Sequence, residues 1–220
     1  MDGVNFGVYH HTSAEGSTRI RKAAEAAFVD ASSRIGLDAS AKIRVLDAGS
    51  GLGFLTFVTA SHFCNATVTA MDSFEGKSLP GNSLDTASRN LKAPGIWERV
   101  DLVVSDLSVL GLRGGYDLAV SNLVFHNLRG RRRRKAYEAV ALALRDGSHF
   151  LDADLFIGTN LFFDPPPQEM RRMADLFSVD FVLTPSAPLR GYRLIGFRKN
   201  AGFQASFERG LPLHHVICFA

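Results

Sequence analysis

An α/β fold with a doubly wound, mostly parallel sheet is the class this sequence predicts, on three observations. The stretch Ile43–Thr56, IRVLDAGSGLGFLT, passes from an apolar strand through a glycine turn into a helical pattern. Short β-rich runs then alternate with helical stretches as far as Lys199. Two of those runs, Ala66–Met71 and Val100–Val104, deliver an acidic residue just past their ends, Asp72 and Asp106. Strand ends of this kind are where an open α/β sheet presents groups to a ligand.

Taken in order, residues up to about Thr12 read as irregular and as a mobile N-terminus. Thr12 and Glu15 fit a capping box. Ile20, Ala23, Ala24, Ala27, Phe28, Ala31 and Ile35 recur at helical spacing and predict an amphipathic helix ending near Gly36. The first strand, Ile43–Leu46, leads to Asp47 and to glycines on alternate positions, Gly49, Gly51 and Gly53. Leu55, Val58, Thr59, His62 and Phe63 mark the crossover helix. The second strand ends at Asp72, about 25 residues beyond Asp47, close to what a βαβ unit requires for an acid that accepts bonds from ribose hydroxyls.

The glycine spacing is D-x-G-x-G-x-G rather than the GxGxxG of a dinucleotide fold that grips a pyrophosphate. It resembles motif I of the class I S-adenosylmethionine (SAM) dependent methyltransferases. The resemblance covers roughly Ile43 to Lys199. It implies a Rossmann-like, doubly wound sheet of seven strands, with helices on both faces and an antiparallel C-terminal strand. It also implies a loop passing under a cofactor without phosphate, SAM, whose product is S-adenosylhomocysteine. Cofactor contacts are then expected at Asp47, Gly49, Ser50, Gly51 and Gly53, at Asp72 and Ser73, and at Asn122. Asp106 would take the adenine amino group and the backbone of Leu107 the ring edge. The resemblance also places the helix before the first strand beside the cofactor, which would bring Tyr9, His10 and His11 near enough to fold over the pocket as a lid, against the mobile N-terminus read above.

Pro80-Gly81-Asn82 is a turn before a short helix, Leu84–Leu91, and Gly114-Gly115 is a turn before the fourth strand, Tyr116–Val120. The following segment, Ser121–Asn127, resembles motif IV of methyltransferases acting on small molecules. It also has a fainter likeness to the N-x-P-Y/F motif of nucleic-acid and protein N-methyltransferases: Asn122 and Phe125 match, but Val124 stands where that motif has proline. His126 is the candidate general base, because its ordinary pKa lies near neutral and it leaves this strand. A histidine that only shapes the loop is the competing reading. Asp154 is a second candidate base, and Asn122 has an amide able to orient an acceptor.

The basic run Arg129–Lys135 opens the next helix, whose core face is Tyr137, Val140, Ala141 and Leu144. The run is either an anion-attracting rim for RNA phosphate or an acidic metabolite, or a solvated helix face. Ser148–Leu151 is the fifth strand, with Asp152 and Asp154 following it. Phe156 and Leu161–Phe163 form an apolar patch, and Pro165–Pro167 precede a helix containing Met170, Met173, Ala174 and Phe177. Phe181–Thr184 and Tyr192–Arg198 read as closing strands, and Leu213–Phe219 as an added strand or a dimer contact.

Composition bounds the function. With 220 residues, 46% hydrophobic, one core and a single domain over 1–220 are expected, divided into an N-terminal helix and lid region (1–42), a core (43–199) and a C-terminal extension (200–220). Net charge is only +3, so the basic character is local to one run. Cys64 and Cys218 lie far apart in apolar surroundings, and the seven histidines lack metal-ligand spacing, so neither a disulfide framework nor a metal is expected. The N-terminus has no charged start followed by an apolar block, and no apolar run approaches spanning length. The expectation is a soluble, cytoplasmic enzyme without a membrane partner. A SAM-dependent methyltransferase with a small-molecule acceptor leads. An RNA methyltransferase, a SAM-binding scaffold subunit and, more distantly, an NAD-binding oxidoreductase compete with it.

Overall fold

The computed structural model describes residues 4–75, 79–92, 94–109, 111–113, 115–157, 171 and 173–203. Within them the elements run α1 (Ala14–Arg34), β1 (Arg44–Ala48), α2 (Phe54–His62), β2 (Thr67–Asp72), α3 (Leu84–Lys92), β3 (Val100–Val104), β4 (Tyr116–Asn122), α4 (Gly130–Ala143), β5 (Leu144–Leu155), β6 (Phe177–Leu183) and β7 (Tyr192–Lys199). The strands form one seven-stranded sheet of order β3-β2-β1-β4-β5-β7-β6. All pairings up to β4–β5 are parallel, and β7 runs antiparallel to both β5 and β6. This is the doubly wound, Rossmann-like sheet with an antiparallel C-terminal strand that the sequence predicts.

Helices cover both faces, which is why β1 and β4 read as continuous apolar runs instead of alternating ones. On one face α1 and α2 bring Phe28, Val58 and Phe63 against Val45, Val68 and Val120. On the other, α4 brings Tyr137 and Val140 against Phe125, Phe150 and Phe197. The rings there interlock, with centroids of Phe125 and Tyr137 4.3 Å apart and Phe150 and Phe197 stacked at 6.0 Å. Burying each such side chain contributes roughly 1.5–3 kcal/mol, so these two layers hold the sheet as a rigid platform.

Several local expectations are corrected. The α1 cap is Ser13, in an extended conformation, whose hydroxyl accepts from the Gly16 N–H at 3.0 Å. Thr12 is not the cap because its hydroxyl donates back to the Tyr9 carbonyl at 2.8 Å. Strand β5 starts directly after α4, so Leu144 is its first residue, and Asp152 and Asp154 lie inside the strand instead of beyond it. Phe177 opens β6 instead of facing the core from a helix, because its backbone pairs with Lys199. Cys64 is exposed, not set in apolar surroundings. Leu161–Phe163, Pro165–Pro167, Met170, Gly114, the run Leu213–Phe219 with His214 and His215, and Cys218 lie outside the described residues. Among the described residues no helix is long and apolar enough to cross a membrane, and no cluster of three His, Cys, Asp or Glu is arranged to hold a metal.

Candidate active site

The chain order reverses between β1 and β4, and the gap outside their carboxyl ends is the crevice where such sheets take ligands. A cleft of ≈ 320 Å³ opens there, walled by the loop Gly49–Leu52, by Asp72 and Ser73 after β2, by Asp106 and Leu107 after β3, and by Asn122–Val124 after β4. Gly49 has φ +87°, and a Cβ on it would sit 2.5 Å from Val124 Cγ1. Only glycine lets the loop after β1 pass this close to the segment after β4.

Four backbone donors of the turn are already engaged. The Gly49 and Ser50 N–H groups both donate to the Met71 carbonyl at 2.8 Å, and the Gly53 N–H to the Ser50 carbonyl at 2.9 Å. The Gly51 N–H donates to Asp72 Oδ2 at 3.0 Å. A phosphate cradle needs such donors pointing at the ligand, so this turn is shaped for close approach and not for an anion. Asp72 Oδ1 also accepts from the Phe74 N–H at 2.8 Å and from the Asn82 amide at 3.0 Å, which holds the carboxylate at the wall.

Asp106 is held likewise. Its Oδ1 accepts from the N–H and the hydroxyl of Ser108, both at 2.8 Å, and its Oδ2 from Arg132 of α4. Partial burial opposes ionisation, but the Ser108 and Arg132 donors win and keep the carboxyl below the usual range. Asp47 behaves oppositely. It is 1% exposed; Oδ2 accepts from the Thr56 hydroxyl at 2.5 Å while Oδ1 has no partner. Burial, helped by the nearby Asp72 and opposed by the Thr56 bond, pushes its pKa up to about 7. Ser50 Oγ and Asn82 Oδ1, both on the cleft wall, are also buried without partners.

The N-terminal segment roofs this cleft. Asn5 exchanges bonds with Asn90 of α3, its N–H donating to Oδ1 at 3.0 Å and its carbonyl accepting from Nδ2 at 2.8 Å. Arg21 of α1 donates to the carbonyls of Phe6 and Gly7, and the Tyr9 N–H donates to the Ser17 hydroxyl at 3.0 Å. Phe6 and Tyr9 are thereby laid on the cleft wall, while His10 and His11 stay exposed. Asn122 reaches the same wall with both arms of its amide engaged. Its Oδ1 accepts from the Tyr192 hydroxyl at 2.6 Å and its Nδ2 donates to the Tyr9 hydroxyl at 3.1 Å.

Residues 46–150 match the family model described as a methyltransferase domain. The ribosomal protein uL3 glutamine methyltransferase of Bradyrhizobium diazoefficiens is 40% identical over 79 residues, 36% of this chain and 23% of that protein. Among solved structures, the magnesium protoporphyrin IX methyltransferase of Synechocystis with bound SAM superposes with a TM-score of 0.66 at 15% identity, covering 86% of each chain. The 1,6-didemethyltoxoflavin-N1-methyltransferase of Burkholderia thailandensis, with bound 1,6-didemethyltoxoflavin and S-adenosylhomocysteine, gives 0.61 at 20% identity over 88% of this chain and 94% of that one. Residues 46–150 are therefore similar to a methyltransferase domain, and the fold is one that methyltransferases share. The chain's alignments span about a quarter of the length of the curated relatives they match, and the similarity to the solved structures is one of fold.

Gly49, Ser50, Gly51, Asp72, Ser73, Asp106, Leu107 and Asn122 come together on one wall of the cleft, while Asp47 and Gly53 stand behind it. His126 and Asp154 are not on that wall. Asp154 is fully buried and accepts from His126 twice, from Nδ1 at 2.6 Å and from the backbone N–H at 3.1 Å, and once from the Leu155 N–H at 2.7 Å. It is thus placed to orient the imidazole. The basic run is spent partly inside the molecule: Arg132 holds Asp106, Arg133 donates to the Leu128 carbonyl at 2.8 Å, and Arg134 pairs with Glu138 and Asp175. Sequence reasoning missed Asn82 on the cleft wall and Tyr192 behind it, while Arg132 of the basic run does reach the wall, as the rim reading allowed. Asn82 had a local signal, being the turn residue after Pro80-Gly81; Tyr192 is brought in by tertiary packing alone.

Proposed function

We propose that this chain transfers a methyl group from SAM to a small-molecule acceptor and releases S-adenosylhomocysteine. The observation that carries the reading is the pairing of a glycine turn whose Gly49, Ser50, Gly51 and Gly53 N–H groups are engaged with carboxylates at three neighbouring strand tips, Asp47, Asp72 and Asp106. That arrangement offers hydrogen-bond acceptors to an amine, a sugar and a base, and little to a pyrophosphate. The unpartnered Asp47 Oδ1, Ser50 Oγ and Asn82 Oδ1 fit a polar ligand seated in this cleft. Asp72 would hold the ribose hydroxyls, Asp106 and the Leu107 backbone the adenine, and Asp47 the amino-acid end.

When bound, the sulfonium supplies an activated methyl group. The protein's task is then to align the acceptor and exclude water, a contribution that reaches roughly 7–11 kcal/mol. The roof of Phe6 and Tyr9 serves the exclusion. The Asp154–His126 pair favours a hydroxyl acceptor over an amine: Asp154 fixes the ring through Nδ1 and would stabilise the imidazolium formed on taking a proton. A small acceptor is favoured over RNA because Arg132, Arg133 and Arg134 are engaged within the fold. The test is methyl transfer from labelled SAM to separated metabolite, RNA and protein fractions. Label in the metabolite fraction is expected. Label in RNA or protein instead overturns the acceptor assignment, and tight SAM binding with transfer to no fraction favours a scaffold role.

A further inference from the structure

We propose that the Tyr9 hydroxyl is the hydrogen-bond donor that holds the carboxylate at the amino-acid end of the cofactor, an inference that rests on the cofactor reading above. The tips of β3, β2, β1 and β4 lie side by side, carrying Asp106, Asp72, Asp47 and Asn122. A ligand with its base over β3 and its sugar over β2 places its third part over β1 and β4, and that part carries an ammonium and a carboxylate. Asp47 suits the ammonium. The carboxylate requires donors, and the N–H groups of Gly49, Ser50, Gly51 and Gly53 are all committed elsewhere.

Tyr9 stands on the cleft wall at this end. The direction of its hydroxyl follows from its neighbours. Tyr192, 1% exposed, donates to Asn122 Oδ1, which leaves Nδ2 of that amide to donate to the Tyr9 oxygen. The Arg21 guanidinium, centred 5.0 Å over the Tyr9 ring, is a donor only. Tyr9 therefore receives from the protein on one side and keeps its own proton to give. Asp47 Oδ1 is without a partner, so that atom does not take it. A carboxylate arriving over β1 and β4 is the complementary acceptor, and a hydrogen bond to a charged group is the stronger kind.

The experiment is calorimetry of the whole chain and of Tyr9→Phe with two ligands, S-adenosylhomocysteine and 5′-methylthioadenosine, which shares the adenosine but lacks the amino-acid end. Tyr9→Phe is expected to weaken S-adenosylhomocysteine about tenfold and to leave methylthioadenosine within about twofold, the latter also reporting that the cleft is intact. Unchanged S-adenosylhomocysteine affinity, or equal weakening of both ligands, overturns the assignment. A loss in Ser50→Ala but not in Tyr9→Phe gives the role to the serine hydroxyl instead. If the unaltered chain binds neither ligand, the cofactor reading itself falls, and the Tyr9 assignment with it.

Discussion

Asp72 and Asp106, at the tips of β2 and β3, line the cleft with Asp47 just behind them, whereas on β5 Asp152 and Asp154 are fully buried and accept from Tyr137 at 2.7 Å and from His126. The same residue type thus serves two ends. Around the glycine turn the protein pins its carboxylates yet leaves neighbouring atoms, Asp47 Oδ1 among them, without partners. On the α4 side of β5 the carboxylates hold helix and loop in place. Open polar atoms on a cleft wall, such as Ser50 Oγ and Asn82 Oδ1, are where a ligand can complete the structure.

The comparison breaks most visibly if the β5 side handles the cofactor. Replacing His126 by Ala, or Asp154 by Asn, is expected to lower the rate on a hydroxyl acceptor by about 10²–10⁴-fold while leaving S-adenosylhomocysteine affinity unchanged. Burial alone would lower the His126 pKa, but the Asp154 carboxylate outweighs it and holds the group above its ordinary 6.5. The neutral base then accumulates only above that raised value, so the rate rises with pH through it, and Asp154→Asn shifts the rise to lower pH. The same sign governs stability. The His126–Asp154 pair contributes fully below the unfolded pKa and fades as pH climbs through the folded one. A calorimetric loss of cofactor affinity in either variant would erase the distinction between the two sides.

Next in size is the ribose carboxylate. Asp72→Ala is expected to weaken S-adenosylhomocysteine at least tenfold, because it removes the expected sugar contact and also frees the Gly51 N–H, Phe74 N–H and Asn82 amide from their acceptor. Equal binding by the variant would remove the ribose assignment.

The smallest effect sharpens the contrast through protons. With its pKa pushed to about 7 by burial, Asp47 keeps a proton in the native state that the unfolded chain gives up near 3.8. Stability therefore falls as pH rises from about 4 to 7, and a cationic ligand group beside Asp47 reverses this by favouring the carboxylate. S-adenosylhomocysteine binding at pH 6 is expected to release a fraction of a proton that Asp47→Asn does not release. The release is read from calorimetry in buffers of different ionisation heat. Identical release by both proteins would detach Asp47 from the ligand.

What the sequence revealed follows from the range of the interactions involved. The glycine turn, Asp72 and Asp106 were legible because each lies within a few residues of the strand end that places it. The extension of β5 was not, since Leu144 pairs with Tyr116 of β4 and its carbonyl accepts from the Lys199 side chain of β7, contacts that no local pattern signals. Nor was the chain Tyr192–Asn122–Tyr9, whose members are 70 and 113 residues apart. The basic run was legible as charge but not as structure: Arg132 reaches Asp106 only because α4 packs beside the turn after β3.

The central claim is that the cleft receives an adenosyl amino acid and not a dinucleotide. Titrating the whole chain with S-adenosylhomocysteine and, separately, with NAD measures this directly. The account predicts saturable heat with the former and none with the latter; binding of NAD with silence toward S-adenosylhomocysteine would contradict it.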